Sequence, residues 1–186
     1  PYLEDQPLDG KGIYEASKSA TDIVARSYYS NYGLPVVVPR CSNLYGGGDT
    51  NFSRLIPNTI TRLINGDAPI IWRGVKDCTR EFIYIDDAVD AYLYLMKNID
   101  QTKGEAYNVG GGAIKSIEEV VLQLIEIINT NINISYLEKD FPEITHQYLD
   151  SSKIFDRIGW KPKFTFEDGL NLTIDFYKKY YKKWLK

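Results

Sequence analysis

Leu34-Pro35-Val36-Val37-Val38, running on into Pro39-Arg40-Cys41-Ser42-Asn43-Leu44-Tyr45-Gly46, decides the fold. Five apolar residues in a row, three of them β-branched, predict a strand buried on both faces, as in a parallel sheet covered by helices. Working outward, a helix is predicted from about Tyr14 to Asn31. Ala16, Ala20, Ile23, Val24 and Ser27 fall on one stripe of it, and Gly33 supplies the stop. Before it, Pro1 to Lys11 reads as loop. After the strand comes a loop with Gly46-Gly47-Gly48, then a helix over about Leu55–Ile64, with Pro57 near its start and Gly66 past its end. Pro69–Trp72 and Glu81–Ile85 read as short strands. Asp86 is placed to cap a helix carrying Ala88, Val89, Tyr92, Leu93 and Met96 on one face. Ala106–Val109 is a further strand, and Ser116-Ile117-Glu118-Glu119 is a capping box opening a helix to about Ile128. Ile132–Leu137 reads as a strand, Ser151/Ser152 to Ile158 as a short helix closed by Gly159, and Thr165-Phe166-Glu167-Asp168 as the start of a last amphipathic helix. Strands alternating with helices predict an α/β fold with a partly parallel sheet.

Composition narrows the function. With 186 residues, 44% hydrophobic and 25% charged, the chain is neither disordered nor fibrous. A net charge of −3 argues against nucleic-acid binding by bulk charge. No apolar run reaches the roughly 18–20 residues of a membrane-spanning helix. Cys41 and Cys78 form no C-x-x-C and read as reduced thiols of a cytoplasmic protein. One histidine, His146, does not make a zinc site, and no metal is expected. Five lysines and no acid crowd residues 178–186, which suits a last helical turn with its lysines in water. The chain opens on Pro1, with no start methionine and no signal peptide, and so reads as a piece of something longer.

Tyr14 and Lys18 are four apart on the first predicted helix, so their side chains share a face. A free phenol, with a pKa near 10, is a weak base at neutral pH; a cation beside it favours phenolate. Such a pair can take a proton from a substrate hydroxyl or return one. Ligand groups cluster where buried parallel strands end, here at Arg40–Gly46.

At this point the sequence resembles a known family. Tyr14-Glu15-Ala16-Ser17-Lys18 matches Y-x-x-S-K, Arg40–Gly46 matches R-x-x-N-x-Y-G, and Leu55-Ile56-Pro57 matches L-I-P. Arg80-Glu81-Phe82-Ile83-Tyr84-Ile85-Asp86-Asp87 matches R-[DE]-[FWY]-[IV]-[HY]-V-x-D, Tyr107-Asn108-Val109-Gly110 matches Y-N-[IV]-G, and Ile158-Gly159-Trp160-Lys161-Pro162 matches L-G-W-x-P. In that order they resemble the C-terminal part of an extended short-chain dehydrogenase/reductase of the NAD-dependent nucleotide-sugar epimerase/dehydratase group. Within the group, Gly46-Gly47-Gly48-Asp49 followed by Arg54-Leu55-Ile56-Pro57 is most similar to CDP-glucose 4,6-dehydratases, while Asn43-Leu44-Tyr45 and Arg80-Glu81-Phe82 look like the general epimerase pattern.

The resemblance implies a division of labour. Tyr14 is the acid/base for the sugar 4-hydroxyl, and Lys18 tunes it and holds the nicotinamide ribose of NAD. Asn43 contacts the nucleotide-diphosphate sugar near its diphosphate, and Arg80 pairs with that diphosphate. Leu55, Pro69 and Ile71 line the pocket for the base. Residues 1–45 form the end of a Rossmann-type doubly wound parallel sheet, and 46–186 mainly a smaller α/β substrate-binding domain. A homodimer through the tyrosine helix is implied, although the stripe on that helix suits intrachain packing equally. The implied reaction is 4,6-dehydration, with 4-epimerisation or a non-catalytic binding remnant as alternatives. Two departures stand out. No G-x-G-x-x-G is present, so the chain alone is expected to turn over nothing and to bind NAD weakly. Many members carry a second diphosphate arginine in an R-P-G motif, where this chain has Asp140-Phe141-Pro142-Glu143; His146 close by reads as an exposed polar histidine, with substitution for that arginine as the alternative.

Overall fold

The computed structural model describes residues 1–10, 12–128, 130–138 and 143–184, with backbone alone for 182–184. The architecture is α/β and divides into two compact units. Pro1–Ser42, Asp86–Gly111 and Leu149–Lys163 make the first; Asn43–Ile85, Gly112–Tyr148 and Phe164–Lys186 make the second. The first unit joins the opening residues to a strand and helices from later in the chain.

In the first unit, helix α1 (Ile13–Tyr32) ends at Gly33. Gly33 takes φ 69° and donates its N–H to Tyr29 O, a left-handed stop that a side chain would strain. Strand β1 is Val38–Cys41, four residues later than the apolar run suggested. Pro35 has no N–H to give a ladder, and Val36 N turns back to Leu34 O at 2.8 Å, so Leu34–Val37 is a turn and approach. β1 pairs in parallel with β5 (Ala106–Val109), in the register Val38↔Ala106 to Cys41↔Val109. Helix α3 (Ile85–Lys97) buries Asp87, Ala88, Ala91 and Leu95, while Val89, Tyr92, Leu93 and Met96 stay exposed. The predicted face is thus turned outward apart from Ala88. The helix has two apolar stripes, and the small-residue one, which permits close approach, faces inward. Asp86 lies within the first turn and not ahead of it. A short helix, α4 (Ile99–Thr102), leads to β5, and α6 (Ser152–Ile158) closes at Gly159, φ 73°. Trp160, Tyr107 and Ile154 are among the unit's buried side chains.

The second unit is built around β4 (Thr79–Tyr84). β2 (Asn43–Tyr45) runs parallel to its Phe82–Tyr84 half, β8 (His146–Gln147) is parallel to Thr79–Arg80, and β6 (Ala113–Ser116) is antiparallel over Thr79–Phe82. β3 (Ile70–Trp72) pairs in parallel with β7 (Ser135–Leu137). Both are shorter than the predicted runs: Pro69 supplies its carbonyl to Ser135 N at 2.8 Å but has no donor of its own. Helices α2 (Leu55–Asn65), α5 (Ile117–Ile128) and α7 (Phe166–Trp184) cover the strands. Ile56, Ile60 and Leu63 of α2 meet Val120 and Leu124 of α5 and Leu170, Ile174 and Tyr177 of α7 in one core, with Tyr45, Phe82 and Tyr84. The capping box forms as predicted: Glu119 N donates to Ser116 Oγ at 3.1 Å, and Ser116 N to Glu119 Oε2 at 2.7 Å. Lys178 and Lys179 are exposed, as expected for the basic tail; the tail's remaining lysine side chains lie outside the described residues.

Candidate functional site

The expected residues fall in both units, and each group has its own scaffold. In the first unit, Tyr14 and Lys18 occupy the opening turns of α1, in helical backbone that carries no β-branched residue between them. Lys18 Nζ lies 5.6 Å from the centroid of the Tyr14 ring, the cation–aromatic contact that i, i+4 spacing permits. Tyr14 is 70% exposed, so its hydroxyl is open to a ligand. Gly10 brings the preceding loop hard against the helix; a Cβ there would sit 2.5 Å from Ala16 N. Among the described residues no group of three or more His, Cys, Asp or Glu could hold a metal.

What holds α1 is unusual. Of its residues only Asp22 is buried. Arg40 Nε of β1 donates to Asp22 Oδ2 at 2.8 Å, and Arg26 Nε to Oδ1 at 2.7 Å. Burial pushes the Asp22 carboxyl up, but the two guanidinium bonds outweigh it and hold the group below its ordinary value. Arg40 Nη1 also donates to Glu4 O at 2.9 Å. Asn108 fixes the same loop, donating its backbone N–H to Glu4 Oε1 at 2.8 Å and its Nδ2 to the carbonyls of Tyr2 and Asp150 at 2.9 Å each. The row Tyr14, Lys18, Asp22, Arg26 climbs α1 in steps of four, so the pin at Asp22 sets the rotation of the Tyr14–Lys18 pair. Sequence reasoning assigned no role to Asp22. Its local signals are its i, i+4 spacings to Lys18 and to Arg26; its other partner, Arg40, lies 18 residues away. The stripe Ala16, Ala20, Ile23, Val24 is not buried within the chain: Ile23 is 54% and Val24 53% exposed. Cys41, nearby on β1, has its thiol pushed up by burial and is a poor nucleophile.

In the second unit, β4 carries the polar groups. Asn43, at the start of β2, is exposed and donates Nδ2 to Glu81 O at 3.0 Å. Arg80 is ion-paired: Nη2 donates to Glu143 Oε1 at 2.7 Å, and Nη1 to the carbonyls of Thr79 and Ile144. His146, one rung across from Thr79, meets Thr79 Oγ1 through Nδ1 at 2.9 Å and is exposed. Leu55 begins α2 and is half-buried against the core. Pro69 is buried, and Ile71, at the centre of β3, is 1% exposed. Asn43 and Arg80 are therefore brought to one strand ladder, while Pro69 and Ile71 belong to the β3–β7 pair. Glu143 is the Arg80 partner that sequence reasoning missed. Asp140, Phe141 and Pro142 of the same motif lie outside the described residues.

Comparison with known proteins places this arrangement. A family model described as NAD dependent epimerase/dehydratase family matches residues 1–110. A curated dTDP-glucose 4,6-dehydratase of Xanthomonas campestris is 32% identical over 95% of this chain and 52% of its own length. The crystal structure of dTDP-glucose 4,6-dehydratase from Bacillus anthracis in complex with NAD superposes with a TM-score of 0.88 at 32% identity, over 100% of this chain and 58% of that one. UDP-glucose 4-epimerase from Thermotoga maritima, with UDP-glucose, gives 0.88 at 25% identity over 100% and 58%. The chain spans about half the length of the curated relatives it matches. Both of these dehydratases carry dTDP-glucose in their names, not the CDP-glucose that the Gly46–Asp49 stretch suggested.

Proposed function

The chain belongs to the NAD dependent epimerase/dehydratase family, and from that premise we propose that it is the Tyr/Lys and diphosphate-binding part of a nucleotide-sugar 4,6-dehydratase. The observation that carries this is the Tyr14–Lys18 pair, exposed on one face of a helix whose rotation is pinned at Asp22. The substrate is a nucleotide-diphosphate glucose, with dTDP-glucose favoured by the dehydratase relatives.

A phenol O–H and an ammonium with three N–H groups form a donor set that fits the hydroxyls of a nicotinamide ribose and a sugar. Lys18 and Tyr14 are thus the residues here that would hold NAD. When bound, NAD supplies the acceptor for the hydride from the sugar C4. Tyr14 takes the proton of the 4-hydroxyl, leaving a 4-keto sugar. Lys18, whose ammonium lies 5.6 Å from the centroid of the Tyr14 ring, adds its N–H donors on the same helix face. Arg80 offers a planar fork to diphosphate oxygens, and Asn43 lies on the neighbouring strand. Water elimination across C5 and C6 draws on groups outside the roles assigned to this chain. By itself the chain is expected to show no turnover.

The full-length gene product, given dTDP-glucose and NAD, should yield a 4-keto-6-deoxy sugar nucleotide, detected by mass spectrometry as loss of one water. Tyr14→Phe should lower kcat by about 100-fold or more while leaving the fold intact, since the side chain is mostly in solvent. A 4-epimer without loss of water would instead support epimerisation, the reading favoured by the likeness to UDP-glucose 4-epimerase. Neither product would overturn both. A homodimer is also proposed, with the exposed Ile23 and Val24 of α1 on the face that a second copy covers.

A further inference from the structure

The Arg80 fork is already engaged by an anion that belongs to the chain. Glu143 Oε1 accepts from Arg80 Nη2 at 2.7 Å and from Ile144 N at 3.0 Å. The Arg80 side chain is 12% exposed, the Glu143 side chain 37%. A carboxylate and a phosphate oxygen compete for the same guanidinium edge by the same charge-assisted geometry. We propose that Glu143 is an intramolecular competitor for a phosphate-bearing ligand at Arg80, and so sets how tightly the second unit takes a nucleoside diphosphate. This rests on reading Arg80 as a diphosphate contact.

Two features support a displaceable carboxylate and argue against a permanent clamp. Arg80 Nη1 donates to Thr79 O at 2.8 Å and Ile144 O at 2.7 Å, so main-chain carbonyls keep the guanidinium oriented after Nη2 is freed. The chain just beyond Glu143 is tied to β4 independently. Thr79 N donates to Thr145 O at 2.8 Å, and the β4–β8 register sets Thr79 against His146 and Arg80 against Gln147. Release therefore needs rotation of one partly solvated side chain and no loop opening. It follows from the proposal that a diphosphate arriving at this edge meets a like charge that must leave, which weakens its binding by an amount set by the charge of residue 143 and not by its size.

The test is calorimetric titration of dTDP and of UDP into the chain and two variants, Glu143→Gln and Arg80→Lys, with folding checked by circular dichroism. Glu143→Gln keeps the volume and removes the charge. It should bind about tenfold more tightly than the wild type, with the advantage shrinking at high salt as charges are screened. Arg80→Lys should bind more weakly, because the planar fork is lost. If Arg80→Lys weakens binding but Glu143→Gln does not strengthen it, Glu143 is only a brace for Arg80; the competitor proposal falls and the diphosphate reading stands. If none of the three proteins binds, or Arg80→Lys binds as the wild type does, both fall. Glu143→Ala serves as the second neutral variant and should tighten binding as Glu143→Gln does.

Discussion

Helices α1 and α2 show two ways of fastening a helix. α2 buries Ile56, Pro57, Thr59, Ile60, Thr61 and Leu63 of its 11 residues, and α5 and α7 meet it in the second unit's core. α1 is 20 residues long and buries one, a charged one. α2 is held by displaced water and close packing, which any well-fitted apolar side chain supplies. α1 is held by a directional ionic contact between Asp22, Arg40 and Arg26, which specifies rotation more than it adds stability. The helix that carries the proposed chemistry is oriented by charge and leaves its apolar stripe outward; the helix that carries the core is oriented by apolar packing.

That contrast can be broken experimentally, beginning with the largest effect. Ile60→Ala in α2 removes a side chain with no exposure and should destabilise the chain by about 2–5 kcal/mol in urea unfolding. A loss below about 1 kcal/mol would mean the α2 core is less tightly packed than it looks. Asp22→Asn should cost about 2 kcal/mol, below the value for a fully buried pair because Arg26 and Arg40 are partly solvated. Its pH dependence has a definite sign. The folded carboxyl sits below 3.8, so its contribution is complete above the unfolded value and is lost as pH falls through the folded one. Wild type and Asp22→Asn should therefore differ near neutrality and converge in acid; a constant gap would assign the effect to packing. Ser116→Ala should cost about 1 kcal/mol, the worth of one cap, seen as a lowered unfolding midpoint. Smallest for a monomer is Ile23→Asp, within about 0.5 kcal/mol at a half-exposed position. If a second copy covers α1, the same change should instead convert a dimer to monomer in sedimentation velocity, which sharpens the contrast with α2.

Much of the fold was legible because its signals are local. Gly33, Gly66 and Gly159 each close a helix with positive φ, and Ser116–Glu119 closes on itself within four residues. Misread features were those in which a residue had two plausible neighbours. The Leu34–Val37 run looks like strand until Pro35 bends it, and α3 has two apolar stripes of which only packing selects one. Tyr14 and Lys18 could be paired by spacing alone. Arg80 could be marked by its motif, but its carboxylate partner is 63 residues away and could not.

By itself, then, the sequence determined the α/β class, most helix ends, the Tyr14–Lys18 pairing and the family, since each depends on residues within a few positions of one another or on motifs in fixed order. Only the tertiary structure decided which face of α1 and α3 is inward, that Asp22 is the sole buried residue of α1, and that Glu143 sits on Arg80. Those depend on contacts between distant segments, where burial and charge pairing select among arrangements that local spacing leaves equal.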